Sequence, residues 1–320
     1  MSLSWLCKAK PLIFTICLLL LIPSLAACSK GSNSNTAASS SRSVPGNAVQ
    51  VGVLVNDTTE ATRKRYQPLL DELSKAIGRP VVFKPMRFTS QFLEVEQGEV
   101  DFVITNPLAT VQLQRLHNTE VLASVSRPKT GTDFAGSIIV KSDSPIKTIE
   151  DLRDKDGACV SMVSGAAGCL FQMYHLKQNG VNPLLDVAKI KDISSQDKIV
   201  QAVLSGEAEF GFVRMDQIQR MVDRDLIPNV DVVRVIEPAN DSFPFPHTTQ
   251  LYPGWAISAS QDVPAELVSS VQQTLLNLPA KNPALVEANI EQLVPAADYS
   301  QLEALIEDMK LRGSTKTNPA

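Results

Sequence analysis

The sequence has few of the residues and motifs on which most enzymes depend. Only 3 of its 320 residues are His. They are widely spaced, and no cluster of metal ligands is visible, so we expect neither a metal nor a cofactor. The sequence also lacks the His-Glu-x-x-His zinc motif, the Gly-x-Ser-x-Gly nucleophile elbow and the Gly-rich Lys-Ser/Thr phosphate loop. These absences predict that the protein is not an enzyme.

Strong charge of either sign is also lacking. The chain has 30 Lys and Arg against 34 Asp and Glu, and a formal net charge of -4. It contains no basic run, so nucleic acid is not an expected partner. Removing Lys8 and Lys10 with the N-terminal segment leaves 28 basic residues against 34 acidic ones, a net charge of -6. This mild charge does not exclude a small anion, because a local site can be positive on an acidic protein.

The apolar run at the N-terminus has the pattern of a secretory signal. "PLIFTICLLLLIPSLAA" follows Lys8 and Lys10, is shorter than a comfortable bilayer span and ends in small residues. We therefore interpret residues 1–27 as a signal peptide. The end, "LAAC", resembles the bacterial lipobox, which implies cleavage before Cys28 and lipidation of its thiol. An uncleaved N-terminal anchor and an ordinary signal peptide with a coincidental Cys are the alternatives, and both place most of the chain outside the cytoplasm.

The segment after the signal has almost no large apolar residue. Residues 28–47 are rich in Ser, Asn, Ala and Gly, which predicts a disordered tether. A folded body then runs to about residue 313, with a short tail at 314–320, and it is long enough for two medium lobes. We expect a monomer held by its lipid at the periplasmic or extracellular face of a bacterial membrane.

Cysteine is scarce in the predicted body. Cys159 and Cys169 lie ten positions apart, whereas Cys7 and Cys17 fall within the predicted signal peptide. Two thiols in an oxidising compartment favour a disulfide. The alternative is a pair of small buried thiols.

Short apolar runs alternate with segments of helical periodicity along the body. The order strand–helix–strand–helix–strand covers 49–126 and recurs over 157–236. This alternation is typical of α/β folds. We predict two α/β lobes, each a mixed, mostly parallel sheet flanked by helices, with lobe 1 formed by 48–140 and 250–313 and lobe 2 by 141–249.

Two stretches of the same design occur in the two predicted lobes. "GEVDFVITNP" (98–107) and "GEAEFGFVRMDQ" (206–217) both open Gly-Glu-x-acid-Phe and continue as an apolar run. We expect equivalent strands that end at a shared cleft, because ligands collect beyond the carboxyl ends of parallel strands. The ends differ, since one run stops at Thr105 and Asn106 and the other at Arg214.

Four segments taken in order resemble one protein family. They are "VGVLVNDTTEATRKRYQPLLDELSKAIGRPVVF", "QGEVDFVITNPLA", "IIVKSDSPIKTIEDLRDK" and "VLSGEAEFGFVRMDQI". Over about 50–280 the chain resembles the phosphate/phosphite/phosphonate-binding proteins, which have the type II periplasmic-binding fold. The resemblance implies two α/β lobes, two crossover connections and closure around a small solute. Many members deliver that solute to an ABC importer, which makes an ABC permease the expected partner.

The chain is also similar to a second branch, the extracytoplasmic domains of some sensor histidine kinases. The matching features are the turn at Asn106-Pro107, Arg214 after its strand, and "FPFPHTTQLYPGW" (243–255). The local match is closer to this branch than to phosphonate importers. Because this sequence carries no kinase portion, we expect that a signalling role would need a separate sensor partner.

A small oxyanion is best held by hydrogen-bond donors at helix N-termini, where the first N–H groups lack partners. Three predicted loops lead from a strand into a helix, and any of their residues could instead be an ordinary cap or turn. The third loop reads SGAAG where importers of the resembled family usually carry more hydroxyls. The candidate residues are Asn56, Thr58 and Thr59, then Thr105 and Asn106, then Ser164 and Gly165.

Arg214 is the most specific candidate for binding an anion. Its guanidinium is a planar fork of donors that fits a carboxylate, sulfonate or phosphate. Many importers of the resembled family carry an acid nearby, so Arg here suggests a more fully ionised ligand. A salt bridge to Asp216 or Glu207 is the alternative. His247 and Thr248, in the predicted crossover, are further candidates, although a packed structural His is an equal alternative.

Overall fold

The computed structural model describes residues 48–311. The predicted signal peptide, the predicted lipidation site Cys28, the tether up to residue 47 and the tail at 314–320 lie outside the described residues. Within the described range, none of the helices combines the length and the apolar character needed to cross a bilayer.

Strands and helices alternate along the described chain, as predicted. The strands are β1 (Val49–Leu54), β2 (Val81–Met86), β3 (Phe102–Thr105), β4 (Glu120–Ser126), β5 (Asp133–Phe134), β6 (Gly136–Lys141), β7 (Asp156–Cys159), β8 (Lys189–Asp192), β9 (Phe210–Arg214), β10 (Val233–Val235), β11 (Tyr252–Pro253), β12 (Ala256–Ala259) and β13 (Gln292–Val294). The α-helices are α1 (Thr59–Ile77), α2 (Gln91–Glu96), α3 (Pro107–His117), α4 (Phe171–Gln178), α5 (Gln196–Ser205), α6 (Gln217–Val222), α7 (Ala265–Asn277), α8 (Pro283–Glu287) and α9 (Ser300–Asp308).

These strands form two mixed sheets. The first has the order β13-β4-β12-β3-β1-β2 and the second the order β10-β6-β9-β7-β8. Parallel pairing is confined to β1 with β2 and β3, and to β7 with β8 and β9, while the other neighbours are antiparallel. The sheets are therefore mixed, as predicted, but only half or less of the pairings in each are parallel. Strands β3 and β9 occupy equivalent positions, because each lies between a parallel neighbour (β1 or β7) and an antiparallel one (β12 or β6).

The boundary between the two sheets differs from the predicted one. Strand β6 was expected in lobe 1, which was predicted to extend to residue 140, but it pairs with β9 and β10 in the second sheet. The chain therefore crosses between the sheets before Gly136 and returns after β10. The two crossover segments meet, since β5 pairs antiparallel with β11. An apolar strand carries no local signal for which sheet it joins, so sequence alone did not show this.

Helix α1 illustrates how local sequence forms these elements. The Thr58 hydroxyl caps its N-terminus by accepting the Ala61 N–H at 3.1 Å, and Gly78 ends it in the left-handed conformation, with φ of 65°. Between these caps Tyr66, Leu69, Leu70 and Leu73 recur at helical spacing and are buried against the first sheet. Burial of each such side chain contributes about 1.5–3 kcal/mol.

Helix α9 contacts helices of both sheets, although it was predicted within lobe 1. It packs on α3 beside the first sheet and on α4 beside the second. Two of its acidic side chains form salt bridges with these helices. Arg115 of α3 lies 2.9 Å from Glu307, and Lys177 of α4 lies 2.7 Å from Asp308. The last described helix therefore joins the two halves.

A disulfide joins Cys159 to Cys169, as predicted. Cys159 ends β7, and Cys169 lies in the π-helical turn Ala166–Leu170 that leads directly into α4. Both residues are fully buried. The bond closes the loop that contains Ser164, one of the candidate site residues.

Candidate functional site

A small cavity lies where strand ends of the two sheets approach each other. Its volume is about 210 Å³, below the roughly 300–1,000 Å³ of pockets for drug-sized ligands. Elements of the first sheet and the helices beside it supply most of the wall, and β9 and α6 of the second sheet supply the rest. The lining residues are Leu54, Asn56, Arg65, Tyr66, Arg127, Arg214, Arg220, Trp255, Ala288 and Asn289. The cavity therefore has the size of a site for a small solute.

Four of the lining residues are arginines, and three of them are held by strong contacts. Arg65 Nη2 lies 2.8 Å from Asp57 Oδ2. Arg127 Nη1 donates to the carbonyl oxygen of Asn289 at 2.9 Å, and its guanidinium lies 5.9 Å from the centre of the Trp255 ring. These contacts fix each guanidinium while leaving some of its five N–H donors free for a ligand.

Arg214 is positioned by its backbone and by its side chain. Its N–H donates to Gln196 Oε1 at 2.7 Å, and its Nη2 donates to Asp216 Oδ2 at 3.0 Å, with a second bond from Nε to Oδ1. The guanidinium also stacks 5.5 Å from the Phe134 ring centre. Burial lowers the pKa of Arg214, and Asp216 opposes this shift. Because the ordinary pKa of Arg lies so far above neutral, the side chain stays charged.

The charges around the cavity do not balance. Two carboxylates, Asp57 and Asp216, pair with the arginines, and Arg220 Nη1 lies 3.9 Å from the same Asp216. Four guanidinium charges less two carboxylate charges leave an excess of two positive charges. Among the described residues that line the cavity itself, none is Asp or Glu. The cavity is therefore suited to an anion and unsuited to a cation.

A larger cavity of about 560 Å³ lies on the second sheet and differs in character. Apolar side chains, among them Met215, Ile218 and Phe245, make up most of its wall. It has one cationic and one acidic lining residue, Lys129 and Asp231, so it has no excess of charge. In the described part of the chain, no group of three or more His, Cys, Asp or Glu is placed to hold a metal ion.

Of the predicted site residues, the structure brings Asn56 and Arg214 together in the arginine-lined cavity. Asn56 follows β1 and Arg214 ends β9, so the carboxyl ends of one strand from each sheet meet at this cavity. Thr58 caps α1 through its hydroxyl, and Thr59 is the exposed first residue of that helix. Neither threonine is among the residues that line the cavity, and their role in binding stays a prediction.

The loop candidates from β3 and β7 meet each other instead of lining this cavity. Asn106 Nδ2 donates to the carbonyl oxygen of Ser164 at 3.4 Å, across the gap between the two halves. Asn106 Oδ1 also caps α3 by accepting the Ala109 N–H at 2.9 Å. Thr105 is fully buried and donates its hydroxyl to Gln91 at 2.8 Å. Gly165 sits where a Cβ would approach the Ser161 carbonyl oxygen to 2.8 Å.

Asn106→Asp is expected to remove this cross-lobe bond without weakening the helix cap. Asp caps helices as well as Asn, but its carboxylate offers no N–H to Ser164. The melting temperature should stay within about 2 °C of the parent, since the cap is retained, while the affinity for the solute should fall several-fold. Calorimetric titration beside a thermal melt checks both. Asn106→Ala is the companion variant, because it loses the helix cap as well as the bond to Ser164. If both variants changed affinity and stability equally, the cap and the bond to Ser164 would not be separate roles of Asn106.

His247 and Thr248 lie inside the returning crossover. The Thr248 hydroxyl accepts the Ile138 N–H at 3.0 Å and donates to the Ile236 carbonyl oxygen at 2.9 Å. His247 is 1% exposed, with Nδ1 2.7 Å from the Thr249 carbonyl oxygen and Nε2 3.1 Å from Asp241. The Thr248 contact ties the crossover to β6, the His247 contacts lie within the crossover, and neither residue lines the arginine-lined cavity. Their part in ligand binding stays a prediction.

Sequence reasoning missed three of the four arginines. Arg127 follows the apolar strand β4 as Arg214 ends β9, so the signal used for Arg214 also applied to Arg127. Arg65 and Arg220 lie within helices, and no local pattern shows which helix face meets a cavity. Trp255, the last residue of the stretch 243–255, also lines the cavity, and its ring lies 5.9 Å from the Arg127 guanidinium.

Two sequence comparisons relate the chain to known proteins. The profile of a family described as "ABC transporter, phosphonate, periplasmic substrate-binding protein" matches residues 51–300. The chain is also 29% identical over 266 residues to the tetrathionate sensor histidine kinase TtrS of Salmonella typhimurium. That alignment covers 81% of this chain and 43% of the kinase. The chain therefore spans less than half the length of this relative.

Solved structures share the fold at low sequence identity. PhnD1 from Prochlorococcus marinus, in complex with methylphosphonate, superposes with a TM-score of 0.66 at 19% identity, covering 82% of this chain and 98% of PhnD1. A binding protein component of an ABC phosphonate transporter from Pseudomonas aeruginosa gives a TM-score of 0.66 at 14% identity, covering 83% of this chain and 87% of that protein. These similarities establish the fold and carry no statement about the ligand.

Proposed function

Because the chain belongs to the family of periplasmic substrate-binding proteins of phosphonate ABC transporters and has their type II periplasmic-binding fold, we propose that it captures a small oxyanion between its two lobes. The observation that carries the proposal is the cavity of about 210 Å³ lined by Arg65, Arg127, Arg214 and Arg220. The solute is a small oxyanion, and phosphate, phosphite and the phosphonates are among the candidates to be tested. Binding, not catalysis, is the proposed activity.

The distribution of the arginines links binding to lobe closure. Arg65 and Arg127 come from elements beside the first sheet, and Arg214 and Arg220 from the second. Without an anion, like charges on the two walls repel each other. An anion held between them accepts charge-assisted hydrogen bonds from both walls, each worth about 1.5–3 kcal/mol. The bound solute therefore stabilises the closed arrangement, in which Asn106 and Ser164 also meet.

The bound solute is then delivered to an ABC importer. Lipidation of Cys28 would hold the protein at the membrane, and the tether of residues 28–47 would let the folded body reach a permease. A single acyl chain binds a membrane only marginally, whereas the diacylated and triacylated ends that lipobox processing implies bind stably. Mass spectrometry of the membrane-bound protein tests the anchor, because a lipidated N-terminal Cys28 has a mass that an unmodified chain cannot match.

A second function is favoured by the similarity to the sensor kinase. The chain would then sense its ligand and present the bound state to a separate histidine kinase or other membrane sensor, as a lipoprotein. Tetrathionate, named in that relative, joins the ligands to be tested. Neighbouring permease and ATPase genes would favour transport, and a neighbouring kinase gene would favour sensing.

A thermal-shift screen of the body from residue 28 onward tests the proposed function. Phosphate, phosphite, methylphosphonate, methanesulfonate, succinate and tetrathionate are each added in excess. A ligand present at 100 times its Kd stabilises the folded state by about 2.7 kcal/mol, or about 5–10 °C for a body of this size. Calorimetry of any hit then gives the Kd. Absence of a shift with every anion, in protein shown to be folded, would reject an anion-binding function.

A further inference from the structure

We propose that the ligand of the arginine-lined cavity is a doubly charged oxyanion that carries no dissociable proton at neutral pH, such as a disulfonate or a dicarboxylate. The inference rests on the proposed function, because it names the class of solute for the same site. It separates these dianions from the phosphonates that the family description names and from singly charged anions.

The cavity carries an excess of positive charge. Arg65, Arg127, Arg214 and Arg220 supply four positive charges, and Asp57 and Asp216 cancel two of them. Arginine stays ionised at any pH that a cell meets, so the remaining two positive charges cannot be lost by deprotonation. A dianion balances them. A monoanion leaves one positive charge uncompensated in a partly buried space, where charges interact more strongly than in water.

The cavity also offers many hydrogen-bond donors and few acceptors. Guanidinium groups donate and never accept. The two nearby carboxylates already accept bonds from arginines, Asp57 from Arg65 and Asp216 from Arg214. Among the described lining residues, the side chains able to accept a hydrogen bond are Asn56, Asn289 and Tyr66. No carboxylate in the described wall is therefore free to receive a proton from the ligand.

This donor-rich wall discriminates by protonation state. A phosphate monoester loses its second proton near pH 6, so phosphate-like ligands carry an acidic O–H for part of the physiological range. That O–H would meet a wall made mostly of N–H donors, and where it faces such a donor both groups are left unsatisfied, at a cost typical of buried unpaired polar groups. Sulfonates and carboxylates have no such proton at neutral pH. Amino acids are disfavoured as well, because their ammonium group would lie among guanidinium groups.

Calorimetric titration at pH 5.5 and pH 8 tests the inference on the folded body with four probes. These are ethane-1,2-disulfonate, succinate, methanesulfonate and methylphosphonate. We expect ethane-1,2-disulfonate at both pH values, or succinate at pH 8 where it is fully ionised, to bind at least tenfold more tightly than methanesulfonate. The disulfonate Kd should change less than about threefold between them. Methylphosphonate should bind at least tenfold more weakly than the better dianion at pH 5.5 and gain affinity at pH 8.

Variants show whether the charge excess sets this preference. Arg220→Gln lowers the excess from two charges to one while leaving Arg214 and its partner Asp216 in place, so it should reduce dianion affinity much more than methanesulfonate affinity. Arg63→Gln is the matched control. Arg63 lies in α1, the helix that also carries Arg65, but it does not line the cavity. Its guanidinium lies 4.5 Å from the centre of the Phe83 ring. It should leave the affinities within about twofold of the parent.

The outcomes separate this inference from the proposed function. Tighter binding of methylphosphonate than of both dianions, or an equal loss for Arg63→Gln and Arg220→Gln, overturns the inference and leaves anion binding standing. Absence of heat with all four probes, together with no hit in the thermal-shift screen, removes the proposed function itself. Tighter binding of the disulfonate than of succinate supports a disulfonate as the ligand, and the reverse order supports a dicarboxylate.

Discussion

Arg214→Gln is expected to weaken binding of the solute by about 100-fold or more, while the unliganded protein stays nearly as stable as the parent. A 100-fold loss corresponds to about 2.7 kcal/mol, which is the size expected for one or two charge-assisted hydrogen bonds. Arg214 lies at the end of β9 and lines the cavity opposite Asn56 and Arg127. Calorimetric titration with the best anion of the thermal-shift screen gives the change.

The backbone of Arg214 explains why stability should survive. Its N–H is bound by Gln196, and β9 is paired on both sides by β6 and β7, so the strand end does not depend on the guanidinium. The pair with Asp216 is partly exposed, with 23% and 16% of the side chains accessible. We expect a stability loss of about 1 kcal/mol, or about 2–4 °C. A loss of more than about 3 kcal/mol with binding retained would assign Arg214 to a structural salt bridge.

Arg214→Lys refines the same test. Lysine keeps the positive charge but presents a point charge in place of a planar fork. If the fork matters, the Lys variant should recover only part of the affinity that Gln loses. Full recovery would mean that charge alone sets binding, and no recovery would mean that the geometry of the guanidinium is essential.

Replacing both Cys159 and Cys169 with Ala is expected to cost about 3 kcal/mol of folding free energy. The two residues are ten apart in sequence, and the chain-entropy model gives about that value for a loop of this length. For a body of this size the melting temperature should fall by about 6–12 °C. Because the closed loop carries Ser164, which meets Asn106, the affinity for the solute should fall as well.

Reduction provides the control for the disulfide. A reducing agent should lower the melting temperature of the parent, in which the bond is present, and should leave the double Ala variant unchanged. Melting of the variant at the parental temperature would contradict a stabilising disulfide. Mass determination after alkylation under native and denaturing conditions shows directly whether the thiols are free.

Much of the fold followed from local sequence. The helical spacing of Tyr66, Leu69, Leu70 and Leu73 predicted α1, and the Gly after it predicted its end. The repeated Gly-Glu-x-acid-Phe design predicted that β3 and β9 are equivalent strands, and each lies between one parallel and one antiparallel neighbour. These predictions succeeded because hydrophobic periodicity and capping depend on residues only a few positions apart.

Other features depended on contacts between distant segments. Strand β6 looked like the end of lobe 1 but joins the second sheet, and α9 looked like part of lobe 1 but packs on helices beside both sheets. The strand β3 was expected to place neutral donors opposite Arg214. The wall opposite Arg214 instead carries Arg65 and Arg127, and Asn106 contacts Ser164.

The sequence by itself determined the order of strands and helices and Arg214 as a charged strand end, and it favoured a disulfide between Cys159 and Cys169 over two buried thiols. Only the tertiary structure decided that Arg65, Arg127 and Arg220 join it around one cavity. The physical reason is that a strand end or a cap is fixed by neighbouring residues, whereas the side of a helix that faces a cavity is fixed by how the helix packs on its sheet. Four arginines spread between positions 65 and 220 therefore became a single site only through folding.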